Sequence, residues 1–181
     1  MTDLLNVEDL AVEFRVQAGK IVAVEGVSFR VKTASTVAIV GESGSGKSTI
    51  AQAIMGILPN VAEITRGSLK FTDPNPRAPS SSRRQMDPVV DIASLPSDGW
   101  QMQRLRGGRM SMIFQEPMTS LSPLHTIGDQ ISEAMLLHSD VTKKTAMEAV
   151  EECSEPWVFP IPKRASRTIR SSFPAAFVSG P

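Results

Sequence analysis

The most explicit chemistry in the chain lies in Gly41-Glu42-Ser43-Gly44-Ser45-Gly46-Lys47-Ser48, a G-x-x-x-x-G-K-S pattern that Thr49 follows. Glycines at this spacing let the backbone wrap with its N–H groups turned inward, which makes a nest for an anion. A helix opening directly behind the nest adds the positive end of its dipole. Phosphate oxygens are the natural guests. Lys47 then reaches the β- and γ-phosphates through charge-assisted hydrogen bonds, each contributing about 1.5–3 kcal/mol. The Ser48 hydroxyl supplies one ligand to Mg2+, beside phosphate oxygens and water. The plainer alternative is a Gly/Ser loop that only turns a strand into a helix. A Lys-Ser pair at this offset, between a strand-like and a helix-like segment, favours the phosphate loop.

The flanking elements follow from hydrophobic period. Leu5, Val7, Leu10, Val12 and Phe14 are spaced as a strand, with a turn or bulge near Glu8 and Asp9 shifting the phase. A second strand is expected over 22–31, and Gln17-Ala18-Gly19-Lys20 between the two reads as the turn of an antiparallel hairpin. Thr36-Val37-Ala38-Ile39-Val40 is short, β-branched and unbroken, the pattern of a strand buried on both faces. Beyond the loop, Ile50, Ala51, Ile54, Ile57 and Leu58 share one helical face, and Pro59 stops that helix. Residues 68–71 suggest another short strand.

From 73 to 91 the composition turns to Pro, Ser and Arg without period, as in a flexible surface insertion. Ser97 is placed to cap a short helix through Leu105, which Gly107 and Gly108 end. Residues 110–114 resemble a buried strand stopping at Gln115. An amphipathic helix follows on Ile127, Ile131, Ala134 and Met135, then a more polar one over 143–152. Regular signals stop beyond Cys153.

Bulk properties narrow the class. The 181 residues suffice for one globular core, and a formal net charge of zero gives no global basic field for nucleic acid. No apolar run approaches the ~18 residues of a membrane span, and the acidic start lacks the order of a signal peptide. A single cysteine fits a reducing compartment. Arg83, Arg84, Arg104, Arg106 and Arg109 read as a solvated basic loop, or else as a nucleic-acid or lipid patch. His125 and His138 have no metal-type neighbour at a recognisable spacing.

The stretches LLNVEDLAVEF, AVEGVSFRV, VAIVGESGSGKST and RLRGGRMSMIFQEPMTSLSPLHTIGDQI resemble the ATP-binding subunits of ATP-binding-cassette (ABC) transporters, most closely the dipeptide/oligopeptide/nickel importer group. The resemblance covers most of 4–137 outside the insertion. It implies an α/β P-loop NTPase core, incomplete here, with an N-terminal antiparallel β lobe. Residues 1–152 form the N-terminal part of the ATPase domain and 153–181 an irregular tail. It makes residues 41–49 the Walker A loop and Gln115 the Q-loop glutamine, which in the family touches Mg2+ and the attacking water. A neutral amide suits that role because it ligates and orients water without competing for protons. Phe14 matches the aromatic that stacks on adenine, although it fits an apolar core position nearly as well. The implied cofactors are ATP and Mg2+. The implied partners are membrane permease subunits and a second ATP-binding subunit, on the cytoplasmic face of the cell membrane. The family's Gly-Glu turn is replaced by Ala34-Ser35.

Three family elements are missing: the LSGGQ-type signature, the Walker B Asp-Glu and the switch histidine. Hydrolysis needs a carboxylate to position or deprotonate water, a contribution of about 10²–10⁴ in rate. The alternatives are therefore an importer ATPase subunit, of which this is the N-terminal part, and a non-catalytic nucleotide-binding fragment. Strands that the family supplies later in the chain are also missing, so the segments at 36–40 and 110–114 are expected to present unpaired edges and to favour aggregation.

The tail carries a trace of the signature in another reading frame. Trp157 is encoded only by TGG and valine codons begin GT, so a frame joining each third base to the next two reads GGT, glycine, at that junction. The codons that follow allow F-P-D-P, and those for 173–180 allow L-S-G-G-L-R-Q-R, the family's signature pattern. A frameshift between 149 and 155 accounts for both. The gene's DNA provides the check: the shifted frame is expected to read L-S-G-G at 173–176 and to continue open, and a stop codon or other residues there would sink the idea.

Overall fold

The computed structural model describes residues 3–74, 87–115, 122 and 124–153, so the tail from 154 onward lies outside the described residues. The chain divides into two compact units, Met1–Ser111 and Met112–Pro181, each described by itself.

The first unit is built on an antiparallel sheet in the order β2-β1-β3-β4. Strands β1 (Asp3–Val16) and β2 (Gly19–Lys32) form the expected hairpin, longer than the periodicity suggests, with Val16 opposite Gly19. Strand β3 (Ala62–Thr72) pairs with β1 on its other side, and β4 (Val89–Asp91) pairs with β3. The phase change in β1 is a bulge. Asp9 sits at φ 50°, and across from it Gly26 and Gly67 sit at 65° and 99°. Leu5 and Val7 therefore face inward before the bulge, and Leu10 and Val12 after it.

Gly67 has to be glycine, because a Cβ there would lie 2.5 Å from the Asp9 carbonyl oxygen. On the opposite face the polar residues pair: Arg15 with Glu63, Lys20 with Glu13 at 2.8 Å, and Arg66 with Asp9 at 2.7 Å. The hydrogen bond from Lys20 to Glu13 pushes the Lys20 ammonium above its usual pKa. Bonds from Asn6 and then Lys70 hold the Glu8 carboxyl below its own.

The core joins the inner sheet face (Val7, Leu10, Val12, Leu69, Phe71) to Ile50 and Ala53 of α1 (Lys47–Ile54), to Ile92 of a 3-10 turn (Ile92–Ser94), and to Met102 and Leu105 of α2 (Trp100–Leu105). Helix α1 ends earlier than Pro59. Gly56 at φ 60° closes it, with Gly56 N donating to the Ala53 carbonyl and Ile57 N to that of Gln52.

Several expectations are corrected. Residues 36–40 belong to no helix or strand, and among the described residues no strand pairs with them. Val37, Ile39 and Val40 are 43%, 42% and 90% exposed instead of buried. Residues 111–114 likewise form no strand, and Met110 makes only an isolated bridge to Arg106. A strand's ladder belongs to its neighbours as much as to its own sequence. Ser97 does not cap α2; Gly99 stands at that position without a side-chain cap. Within 73–91, Asp73 is buried, its N–H donates to the Pro88 carbonyl, and 89–91 are β4. Residues 75–86, including Arg83 and Arg84, lie outside the described residues. Ala34, in the turn where the family has Gly-Glu, adopts φ 57°, a left-handed conformation that costs a residue with a Cβ about 1–2 kcal/mol.

In the second unit, α3 (Ile127–His138) packs with α4 (Lys143–Cys153). Thr126 caps α3, its hydroxyl accepting from Asp129 N. The buried positions of α3 are Ile127, Gly128 and Ser132, whereas Ile131, expected on the apolar face, is 45% exposed.

The uncovered 36–40 segment makes a direct prediction. Val40→Lys places a charge on an exposed apolar edge and is expected to lower aggregation of the purified chain in static light scattering. Scattering equal to that of the unsubstituted chain would show that this edge does not drive association.

A phosphate-type loop against the hairpin

The loop at 41–46 is shaped by two glycines and one close contact. Gly44 and Gly46 adopt φ 82° and 86°, in the left-handed region. Gly46 lies so near β2 that a Cβ on it would stand 2.4 Å from the Ala23 carbonyl oxygen and 3.2 Å from a Val24 methyl. Inside the loop Ser45 N donates to the Glu42 carbonyl at 3.2 Å. A Cβ on Gly41 would meet Ser45 Oγ at 2.8 Å. The backbone is thus folded tightly on itself before it enters α1.

Helix α1 begins at Lys47, with Ile50 N donating to the Gly46 carbonyl at 3.0 Å. No side chain caps its N-terminus and no acidic residue occupies its first turn. The first-turn N–H groups and the positive dipole end are therefore available to an anion held by the loop. Lys47 lies across the loop, its Nζ donating to the carbonyls of Gly41 at 2.8 Å and Glu42 at 2.5 Å and to Ser45 Oγ at 3.1 Å. These are neutral acceptors, and an anionic phosphate oxygen in their place makes a stronger, charge-assisted bond. Ser48 is exposed, Thr49 half-buried and Ile50 buried, so Ser48 stays open to solvent in the first turn while Ile50 anchors the helix. Among the described residues no group of three or more His, Cys, Asp or Glu could hold a metal ion. An exposed hydroxyl fits an ion that arrives with its phosphate ligands and needs little from the protein.

Phe14 is half-buried in β1, opposite Ile21 of β2 and Ala62 of β3, and packs on the margin of the core. Ile21 lies two positions from Ala23, the residue under Gly46, so the aromatic and the loop occupy the same end of the hairpin. Gln115 is an exposed bend residue of the second unit, and Glu116 beyond it lies outside the described residues. His125 Nδ1 is 3.0 Å from Ser122 Oγ in the turn before α3, a local pairing that assigns it no site.

Sequence reasoning missed Ala23 as the floor of the loop, because what it contributes is a backbone carbonyl and any residue type carries one. It also misread the arginines. Arg109 Nε bonds the buried Asp73 carboxylate at 2.9 Å, and Arg106 donates to the backbone carbonyls of Gly56 and Ser97. Both are tied to specific acceptors by hydrogen bonds.

The profile of the family described as ABC transporter matches residues 24–164. The chain is 40% identical over 151 residues to the dipeptide transport ATP-binding protein DppD of Bacillus subtilis, covering 83% of this chain and 40% of that protein. It is 38% identical over 168 residues to the oligopeptide transport ATP-binding protein OppD of Mycobacterium tuberculosis, covering 92% of this chain and 24% of that protein. The chain therefore spans less than half the length of these relatives. In fold it is similar to the ATP-binding cassette MJ0796, solved as a dimer bound to ADP and Pi. The TM-score is 0.71 at 17% identity, over 95% of this chain and 64% of that one.

The two loop glycines separate sterically. Gly44→Ala meets nothing within 4 Å and bears only the cost of a left-handed alanine, about 1–2 kcal/mol. Gly46→Ala adds a collision with backbone that cannot swing aside. In urea titrations Gly46→Ala is expected to lose clearly more stability than Gly44→Ala; equal losses would contradict the contact with Ala23.

Proposed function

We propose, starting from the fact that the chain belongs to the ABC transporter family, that it is the N-terminal part of the ATP-binding subunit of an importer that takes up peptides or nickel by ATP binding and hydrolysis. The observation that carries this reading is the loop at 41–46 running into an uncapped α1, with Lys47 Nζ bridging its carbonyls. In this reading residues 41–49 hold the phosphates through backbone N–H groups, and Lys47 exchanges Gly41 and Glu42 for β- and γ-phosphate oxygens. The Ser48 hydroxyl would be one ligand to Mg2+, which when bound supplies charge neutralisation across the phosphates. Gln115, in the second unit, is proposed as the Q-loop glutamine, a neutral amide suited to ligating Mg2+ and orienting water. Phe14 offers its ring face to the adenine.

The names of the relatives, dipeptide and oligopeptide transport ATP-binding proteins, support a peptide as the solute. No helix among the described residues is long and apolar enough to cross a membrane. The proposed partners are accordingly permease subunits that span it and a second ATP-binding subunit, with this chain peripheral on the cytoplasmic face. A second reading is a nucleotide-binding fragment without turnover of its own. The segment beyond Cys153 is proposed to be the family's signature region read out of frame.

One experiment separates the readings. ATP binding and phosphate release are measured for the chain, for a frame-restored version, and for each with Lys47→Ala. Lys47→Ala is expected to weaken ATP binding at least tenfold, the loss of charge-assisted bonds worth about 1.5–3 kcal/mol each. Turnover is expected only from the restored version. Turnover by the unrestored chain that Lys47→Ala abolishes would overturn the non-catalytic reading, and binding indifferent to Lys47→Ala would overturn both.

A further inference from the structure

Helix α1 is held at both ends by glycines in left-handed conformations, and the far end is seized by α2. Gly56, which closes α1, is so close to Met102 that a Cβ on it would lie 2.9 Å from Sδ and 3.1 Å from Cγ. The Arg106 guanidinium donates through Nη1 to the Gly56 carbonyl at 3.2 Å and through Nη2 to the Ser97 carbonyl. It thus joins the exit of α1 to the approach of α2. Arg106 is itself fixed: its N–H bonds the Met102 carbonyl at 3.0 Å, and the turn behind it closes with Gly107 N on Met110 O at 2.8 Å and Met110 N on Leu105 O at 2.9 Å. Met102 and Leu105 are fully buried, so this anchor is part of the core.

We infer that Arg106, with Met102, is a positioning residue for the phosphate loop: it clamps the C-terminal end of α1 and thereby sets the pose of Lys47 and Ser48 at the other. The physical basis is the stiffness of a short helix. Lys47–Ile54 is about two turns, too short to bend. A shift at Gly56 is therefore passed to the N-terminal end as a tilt. That end cannot absorb a tilt, because Gly46 already touches the Ala23 carbonyl. A planar fork that serves two carbonyls is a task for arginine, and an ammonium can satisfy only one of them in the same geometry.

The inference rests on the nucleotide reading above. ATP affinity of the full 181-residue chain is measured by equilibrium titration with ATP, alongside urea denaturation, for the unsubstituted protein, Arg106→Ala and Arg106→Lys. Arg106→Ala is expected to weaken ATP binding by about 3- to 10-fold, the scale of one ordinary net hydrogen bond, and Arg106→Lys to recover part of it. Should Arg106→Ala fail to fold, Arg106→Lys carries the test, with its own loss in affinity expected. A purely structural role would shift the urea midpoint and leave the ATP affinity of the folded protein unchanged in both arginine variants; that result overturns the inference. Failure of the unsubstituted chain to bind ATP overturns the nucleotide reading instead.

Discussion

The contact on which the first unit depends is the approach of Gly46 to the carbonyl of Ala23. It is where the antiparallel lobe and the phosphate-type loop meet, and it admits no side chain. Gly46 must take a left-handed φ to turn the loop into α1, and must at the same time lie flat against β2. Those two demands fall on one residue, and only glycine satisfies both. Lys47 inherits its position from that residue, and so does Ile50, which seats α1 in the core.

The sheet is arranged so that this contact holds still. The bulge at Asp9, with Gly26 and Gly67 opposite, re-phases β1 and lets Leu5, Val7, Leu10 and Val12 all face inward. A second irregularity in pairing separates Val12/Val24 from Glu13/Val22 and leaves Ala23 between them, under Gly46. Ion pairs on the outer face add little individually, being exposed. The inner face, together with Met102 and Leu105 from α2, supplies the burial that keeps α1 in place.

The exposed segment at 36–40 is the counterpart of this order. It carries the residues of a buried strand, and the loop grows from its end, yet among the described residues nothing pairs with it. Val40, next to Gly41, is almost fully exposed. The loop is therefore held firmly from the β2 side and through α1, while the segment that leads into it is held by neither a ladder nor a core.

Motif and period made much of this chain legible. The G-x-x-x-x-G-K-S spacing located the loop and the helix behind it, the alternation of Leu5, Val7, Leu10 and Val12 predicted β1 together with its bulge, and Gln17-Ala18 marked the hairpin. These are local properties, written in which residues tolerate which backbone conformations and which side chains avoid water. The pairing of 36–40, the exposure of Ile131, the true end of α1 at Gly56 and the roles of Arg106, Arg109 and Ala23 were decided by tertiary structure alone. Each depends on what lies opposite in space, a backbone carbonyl or a strand edge. Carbonyls are carried by every residue and edges belong to the partner, so one sequence read along its length holds no mark of either.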